Sequence, residues 1–106
     1  MNRILYNVTV NIDHSSHKEW VDWMKSTHIP DVMATGKFLT YQLQRILETE
    51  NETGVTYAIQ YLAPNMQAYR EYQENHSEAL QSDHAKRYNG RYGAFRTLME
   101  VLDMSN

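Results

Sequence analysis

Apolar and polar residues alternate along several stretches of the chain, which is the period of a half-buried β-strand. The alternation covers residues 4–12, 38–50 and 55–63. The side chains expected on the core face are Ile4, Tyr6, Val8, Val10 and Ile12, then Leu39, Tyr41, Leu43 and Leu47, then Val55, Tyr57, Ile59 and Tyr61. A fourth strand is predicted over residues 91–103, where the pattern does not decide which face is buried.

A helical spacing of three and four residues follows the first strand, with Trp20, Trp23 and Met24 on one apolar stripe. Ser16 and Glu19 fit the S-x-x-E capping box, in which each side chain bonds a free backbone N–H group of the first helical turn. The sequence therefore predicts a helix that starts near Ser16 and is held there by this pair.

Pro30 is expected to end or kink this first helix, because proline lacks an N–H group and crowds the residue before it. One further turn is expected over residues 30–35, with Gly36 as the left-handed residue that ends it. His28 lies two residues before the proline. It is expected either to bond a carbonyl group freed by Pro30 or to face a cleft as a general base.

A second helix is predicted from Asn65, its capping residue, to the Asn89-Gly90 pair, with His76 and His84 on one stripe. The acidic segment 50–54 lies between two alternating runs and predicts a hairpin loop. The resulting order, β-α-β-β-α-β, is the ferredoxin-like α+β arrangement of a four-stranded antiparallel sheet with two helices on one face. We expect a single domain over residues 1–106.

The other face of the predicted sheet is mixed in character. It carries Leu5, Asn7, Thr9 and Asn11 of the first strand and Thr56, Ala58, Gln60 and Leu62 of the third. Such a surface is too polar for a core and too apolar for a fully solvated face. We therefore expect a homodimer formed by packing two sheets face to face, since two-fold symmetric pairs are the commonest oligomers.

Composition narrows the classes of function. The chain has 106 residues, 42% of them hydrophobic, a formal net charge of −3 and no cysteine. An acidic balance does not favour binding to nucleic acid or to a membrane surface. Without cysteine, neither a disulfide nor a thiol nucleophile is available. With no signal peptide in view, these features predict a cytoplasmic protein.

Several short patterns resemble the dimeric α/β-barrel superfamily, whose ferredoxin-like protomers close a shared barrel. They are Trp20-x-x-Trp23 with His28-x-Pro30, Gly36-Lys37-Phe38 at the entry to the second strand, and Tyr69-x-x-Tyr72-x-x-x-His76. The chain is also similar over nearly its whole length to a small family of uncharacterised proteins that share ILYNVTVNID, HIPDVMATGKF and AFRTLMEV. That family carries no assigned activity.

The resemblance implies a ligand site between helices and sheet, but the superfamily contains several functions. They include cofactor-independent monooxygenases of antibiotic biosynthesis, haem-degrading monooxygenases, isomerase-like and dehydratase-like enzymes, and ligand-sensing domains. The haem-degrading branch uses an asparagine of the first strand, for which Asn7 is the candidate. The strand parity turns Asn7 away from the helices, and the tryptophan that this branch carries on the second helix is absent.

Candidate site residues are the histidines and aromatic residues expected between helices and sheet. His28 and His76 are the candidate catalytic residues. The candidate ligand-binding residues are Tyr6, Trp20, Trp23, Tyr57, Tyr61, Tyr72 and His84. Ordinary core packing is an alternative explanation for each of these aromatic side chains.

No metal site and no cofactor are expected. His14 and His17 have a spacing that could share a metal ion, but a metal site needs a third ligand. No zinc-protease helix, phosphate-binding loop or nucleophile elbow occurs in the sequence. The leading hypothesis is a homodimer that binds a small hydrophobic or aromatic metabolite in a helix–sheet cleft, with cofactor-independent monooxygenase-like or isomerase-like catalysis as one form of that function. The alternative is a non-catalytic module for dimerisation or protein interaction.

Overall fold

A computed structural model describes residues 2–49 and 53–105. Four strands, β1 (Ile4–Asp13), β2 (Thr40–Arg45), β3 (Gly54–Ala63) and β4 (Tyr92–Glu100), form one antiparallel sheet in the order β2-β3-β1-β4. The helices follow β1 and β3 in the chain. This is the ferredoxin-like α+β fold predicted from the sequence.

The sheet register confirms the predicted core face of the two central strands. Tyr6 lies opposite Tyr61, Val8 opposite Ile59 and Val10 opposite Tyr57. These side chains and their neighbours on the same face form the hydrophobic core with the helices. Asn7 faces the other way, where its amide donates to the Thr9 hydroxyl at 2.9 Å. The parity argument against a haem ligand at Asn7 therefore holds.

The second strand is shorter than predicted. The alternation extends from 38 to 50, but β2 ends at Arg45 and the side chain of Leu47 is 74% exposed. Ile46 still donates a backbone hydrogen bond to Thr56, and Glu48 adopts a positive φ of 59°. Because β2 is an edge strand with one neighbour, its pattern does not need a buried partner for each apolar residue. Part of the predicted loop, residues 50–52, lies outside the described residues.

The first helical region does not end at Pro30: its geometry changes just before the proline, and the expected further turn follows. It consists of α1 (His17–Trp23), a π-helical turn (Met24–His28) and α2 (Ile29–Met33). In the π turn the Ile29 N–H donates to the Met24 carbonyl, five residues back. The wider ring gives room to a proline that would otherwise crowd the carbonyl group four residues earlier. Gly36 then ends the region at a φ of +76°, as predicted.

The predicted capping box at Ser16 and Glu19 is wrong, although the helix begins where it was expected. Ser16 makes no side-chain bond to the first helical turn. Its hydroxyl instead accepts from Arg91 at 3.1 Å, and the Glu19 carboxylate accepts from Arg87 at 2.6 Å and from the Tyr88 hydroxyl at 3.1 Å. Tertiary partners from the other end of the chain replace the local pair.

The second helical region is divided into α3 (Met66–Asn75) and α4 (Ser77–Tyr88). The Asn65 side chain caps α3 by accepting from the Ala68 N–H at 2.8 Å, as predicted. The backbone leaves helical geometry at His76, with φ −131° and ψ −35°. The expected continuous helix through His76 and His84 is therefore interrupted at His76, which belongs to neither α3 nor α4.

The open question of β4 parity is settled by its pairing with β1. Tyr92, Ala94 and Arg96 lie opposite Ile12, Val10 and Val8, on the helix-facing side of the sheet. Phe95 lies opposite Thr9, on the other side. Arg96 is thereby placed beside the helix–sheet interface. None of the described helices is both long and apolar enough to cross a membrane.

Candidate functional site

A small cavity lies between the helices and the helix-facing side of β1, β3 and β4. Its volume is about 40 Å³, enough for about three water molecules. Aromatic and aliphatic side chains form most of its wall, and polar groups lie among them: two histidines, an arginine, a glutamine amide and tyrosine hydroxyls. The lining residues are Tyr6, Val8, Val10, Met24, His28, Val32, Ile59, Tyr61, Tyr72, Gln81, His84, Tyr92, Ala94 and Arg96.

His84 of α4 is anchored to Trp20 of α1 at the base of this cavity. The indole Nε1 of Trp20 donates to His84 Nε2 at 2.9 Å, and both residues are buried. The Tyr92 ring meets the imidazole edge-on, with 4.5 Å between ring centroids. Burial, reinforced by the nearby His28 and Arg96, lowers the pKa of His84 to about 4. His84 is therefore neutral at physiological pH.

His28, the last residue of the π turn, is partly buried and lines the same cavity. Its ring stacks on Trp23 with centroids 5.2 Å apart, and it lies 5.7 Å from the His84 ring. Burial lowers the pKa of His28, while the carboxylates of Asp31 and Asp83 act in the opposite direction. Within residues 2–49 and 53–105, neither ring nitrogen of His28 has a hydrogen-bond partner. The expected bond to a carbonyl group freed by Pro30 is absent there.

Tyr6 and Arg96 meet on the sheet side of the cavity. The Arg96 guanidinium donates from Nε to the Tyr6 hydroxyl at 3.2 Å. Burial raises the pKa of Tyr6, and Arg96 and the Gln81 amide oppose that rise. The Tyr6 ring itself is 3% exposed, whereas Arg96 lies on an exposed strand. Arg96 therefore joins the interior of the cavity to its opening at the edge of the sheet.

Among the described residues that line this cavity, none carries a carboxylate. The ion pairs present in the described part of the chain join Lys37 to Glu71 and Arg87 to Glu19, and neither includes Arg96. Arg96 is always charged at physiological pH. The cavity consequently carries a positive charge with no acidic neighbour in salt-bridge contact, surrounded by groups that can donate hydrogen bonds.

Tyr61 and Tyr72 complete the aromatic wall. Each packs against Phe38, at centroid distances of 5.1 Å for Tyr61 and 4.8 Å for Tyr72. Burial raises the pKa of both hydroxyl groups well above the usual value. Both side chains are therefore neutral hydroxyl groups at any physiological pH, able to donate but not to act as bases.

The other predicted site residues do not line the cavity. Trp20 and Trp23 contact the lining histidines instead: Trp20 donates a hydrogen bond to His84, and the Trp23 ring stacks on His28. Tyr57 lies on the far side of Trp20, where its hydroxyl contacts His17 Nδ1 at 2.9 Å and its ring borders an open groove along β2. His76, at the break between α3 and α4, borders a separate surface depression. Tyr6, His28, Tyr61, Tyr72 and His84 are the predicted residues that the fold brings together.

The candidate site residues named from the sequence do not include Arg96, Gln81 or Tyr92. Arg96 and Tyr92 depend on the parity of β4, which the ambiguous alternation left open. Gln81 carries no chemical signal of its own and is found through its position one turn before His84. The sequence pattern alone does not show that Tyr92 and Arg96 face the cavity, because that depends on the pairing of β4 with β1.

Clusters of three or more histidine and acidic side chains suited to a metal ion do not occur within residues 2–49 and 53–105.

Solved structures with the same fold share very little sequence with this chain. A dimeric ferredoxin-like protein from an uncultured marine organism has a TM-score of 0.79 at 6% identity and covers 99% of this chain and 100% of its own. SnoaB, a cofactor-independent oxygenase from Streptomyces nogalater, has a TM-score of 0.68 at 10% identity, covering 98% and 97%. A protein of unknown function from Nitrosomonas europaea has a TM-score of 0.67 at 11% identity, covering 100% and 95%.

These likenesses confirm the fold alone, since proteins with one fold carry out many functions. No curated protein matches the chain in sequence. One family model does match, over residues 3–102, and it spans all four strands and all the helices. The chain belongs to the family described as Domain of unknown function (DUF4286).

Proposed function

We propose that this protein binds a small aromatic or hydrophobic metabolite that carries an acidic oxygen, in the cavity between helices and sheet. The observation that carries the proposal is the grouping of Arg96, His28 and His84 around an aromatic cavity whose described lining residues include no carboxylate. Ligand sites typically combine apolar walls with a few convergent polar groups. A phenolate, enolate or carboxylate oxygen would be attracted by the positive charge of Arg96 and would accept a hydrogen bond from the Tyr6 hydroxyl.

Cofactor-independent catalysis would begin with proton transfer to His28. A neutral imidazole accepts a proton from a ligand O–H or activated C–H group, so that the ligand bond breaks and an N–H bond forms on His28. The electron pair stays on the ligand, with its charge on the oxygen that faces Arg96. Desolvation inside the cavity strengthens this electrostatic stabilisation. The name of SnoaB, a cofactor-independent oxygenase of the same fold, supports such a use of the fold.

The cavity must widen to admit an aromatic ligand, because about 40 Å³ is far below the several hundred cubic ångströms of usual ligand sites. The side next to β4 is where the opening is easiest. Ala94 and Arg96 are exposed there and no helix covers them completely. Rotation of the Arg96 side chain about its own flexible bonds enlarges the opening without moving the backbone.

The protein acts as a homodimer through the second face of the sheet in this proposal. Phe95 is 63% exposed and Met99 is 37% exposed on that face, beside the Leu5 and Thr9 positions of β1. Exposed apolar side chains grouped on one sheet face favour packing against a second copy. The dimeric ferredoxin-like protein from the marine organism, which has the same fold, adds support.

Native mass spectrometry of freshly purified protein, with extraction of small molecules, tests ligand binding. We expect a bound molecule of low mass that is released on denaturation and carries an acidic hydroxyl or carboxyl group. Arg96→Gln should lower its affinity about tenfold or more, since hydrogen bonds to charged groups contribute roughly 1.5–3 kcal/mol. Arg45→Gln, an exposed arginine of the opposite edge strand, is the matched control and should retain the molecule.

A second measurement covers the case in which the ligand is lost during purification. NMR spectra are recorded with benzoate and with methyl benzoate, which has the same ring but no acidic oxygen. Shifts confined to Tyr6, His28 and His84, larger for the acid, support the proposal. Equal effects of acid and ester, or the same binding by Arg96→Gln, would contradict a role for the charge.

The small volume of the cavity favours one alternative, a module for dimerisation or protein interaction without a ligand. In that case the histidines and tyrosines are packing residues, and substitution of Arg96 leaves the interaction unchanged. The absence of any ligand-induced shift across a panel of phenols and aromatic acids would favour this alternative.

A further inference from the structure

Two histidines lie side by side in the cavity, but their surroundings differ. His28 and His84 have ring centroids 5.7 Å apart. His84 Nε2 accepts from the Trp20 indole, whereas the ring nitrogens of His28 have no hydrogen-bond partner in the part of the chain that the structure describes. An equal pair would share or exchange a proton. This arrangement instead makes the two rings chemically distinct.

The indole of Trp20 determines which nitrogen of His84 carries the proton. Tryptophan Nε1–H is a donor only, so the nitrogen that faces it at 2.9 Å must offer a lone pair. A neutral His84 therefore carries its hydrogen on Nδ1. A second proton would have to attach to Nε2, directly against the indole hydrogen, and would break the hydrogen bond between two buried residues.

The free nitrogen of His84 is available to the cavity. No described residue makes a hydrogen bond to Nδ1. Every fully buried side-chain nitrogen or oxygen atom among the described residues has a hydrogen-bond partner, so Nδ1 is not fully buried. Since His84 lines the cavity, its Nδ1–H is open to whatever occupies that space. The neighbouring groups do not favour a charge on His84. His28 faces it from the π turn, Arg96 and Tyr92 from β4, and Tyr88 from its own helix.

We propose that Trp20 is a positioning residue that fixes His84 as a neutral Nδ1–H donor at physiological pH and leaves His28 as the histidine of the pair that changes its protonation state. The fixed donor and Arg96 then hold the ligand oxygen while His28 exchanges the proton. The part that concerns the ligand rests on the proposed function. The tautomer of His84 and its dependence on Trp20 do not, because both exist in the free protein.

Histidine ring ¹⁵N NMR of the unliganded protein tests the inference. In the wild type we expect His84 to show a protonated Nδ1 and an unprotonated Nε2 throughout the range from pH 8 to pH 6, and we expect His28 to be the first of the two histidines to gain a proton as the pH is lowered. A wild-type His84 with its proton on Nε2, or charged at pH 6, would overturn the proposal whether or not a ligand is ever found.

Trp20→Phe removes the donor and keeps an aromatic ring. We expect His84 in this variant to populate both tautomers and to titrate at a higher pH than in the wild type. Trp23→Phe is the matched control, because the Trp23 ring contacts both histidines without a hydrogen bond to either in the described residues. An unchanged His84 in Trp20→Phe overturns the role of Trp20. Should that buried substitution prevent folding, the wild-type tautomer decides the question.

Discussion

The imidazole of His28 stacks on the indole of Trp23, with ring centroids 5.2 Å apart and planes inclined by 30°. This contact keeps the last residue of the π turn partly out of water. Since burial is the main cause that lowers the pKa of His28, Trp23→Ala should raise that pKa towards the ordinary value near 6.5. The histidine Cε1 proton shift, followed against pH, measures the change.

Asp31→Asn provides the opposite change at the same histidine. The Asp31 carboxylate raises the pKa of His28, so its neutralisation should lower that pKa further. Asp31 is exposed and should be substituted without loss of the fold. Shifts of the same sign in the two variants would contradict this account of the histidine's surroundings.

Neutral His84 makes the stability of the protein depend on pH. The pKa of His84 is about 4 in the fold and about 6.5 in the unfolded chain, so the unfolded state binds more protons between these values. Stability is therefore full above pH 6.5 and decreases as the pH falls towards 4. At pH 5 the loss from His84 is about 2 kcal/mol. Urea unfolding at pH 7.5 and pH 5 measures it.

The control for this pH effect is a histidine in a different environment. His84→Leu should be less stable at pH 7.5 but should lose about 2 kcal/mol less than the wild type on going to pH 5. His14→Gln, at an exposed position, should keep the wild-type loss. If His84→Leu loses as much stability as the wild type, the pH effect belongs to another group.

Gly54 at the start of β3 has no room for a side chain. A Cβ atom there would overlap the Ile12 carbonyl oxygen and would lie 2.8 Å from Asn11 Oδ1. Gly54→Ala must therefore displace the backbone of the central strand, at a cost of about 1–3 kcal/mol or more. Gly36→Ala meets no atom within 4 Å but requires a φ of +76°, so it should cost only about 1 kcal/mol. Thermal unfolding of both variants gives the order.

Phe95 and Leu98 lie on opposite faces of β4. Phe95 lies opposite Thr9 on the second face, whereas Leu98 lies opposite Tyr6 on the helix-facing side, and both are substantially exposed. Phe95→Asp should dissociate the proposed dimer into monomers, because a carboxylate would be buried in the interface without a partner. Light scattering with size-exclusion chromatography measures the mass. Leu98→Asp should remain dimeric, and equal dissociation by both changes would place the interface elsewhere.

The order of the elements along the chain and the core face of β1 and β3 could be predicted from the sequence, and the core face was clear because these two strands lie at the centre of the sheet. Every second residue of these strands faces the core, and the alternation of apolar and polar residues in the sequence reflects this. Edge strands lack this constraint. For β2 the alternation therefore extended beyond the paired residues, and for β4 it did not show that Arg96 faces the cavity.

Local motifs were less reliable than periodicity where a distant partner competed for the same group. Ser16 and Glu19 have the spacing of a capping box, yet Arg91 and Arg87 occupy their oxygen atoms. His28 and His84 could be named as candidates from their residue type. Their separation into a free and an anchored histidine depends on the Trp20 hydrogen bond, which joins residues 64 positions apart.

The π turn has a consequence for the length of the chain between Trp23 and Ile29. A π turn holds one residue more than an α-helical turn, and each residue of an α-helix rotates the chain by about 100°. Deletion of the exposed Ser26 would therefore leave a regular α-helical turn with the same full rotation, so that Trp20 and the buried Ile29 and Val32 would still face the core. The deletion would also remove the wider ring that gives room to Pro30. The single additional residue thus serves the proline and sets the direction of His28 within the turn, whereas the faces of α1 and α2 do not depend on it.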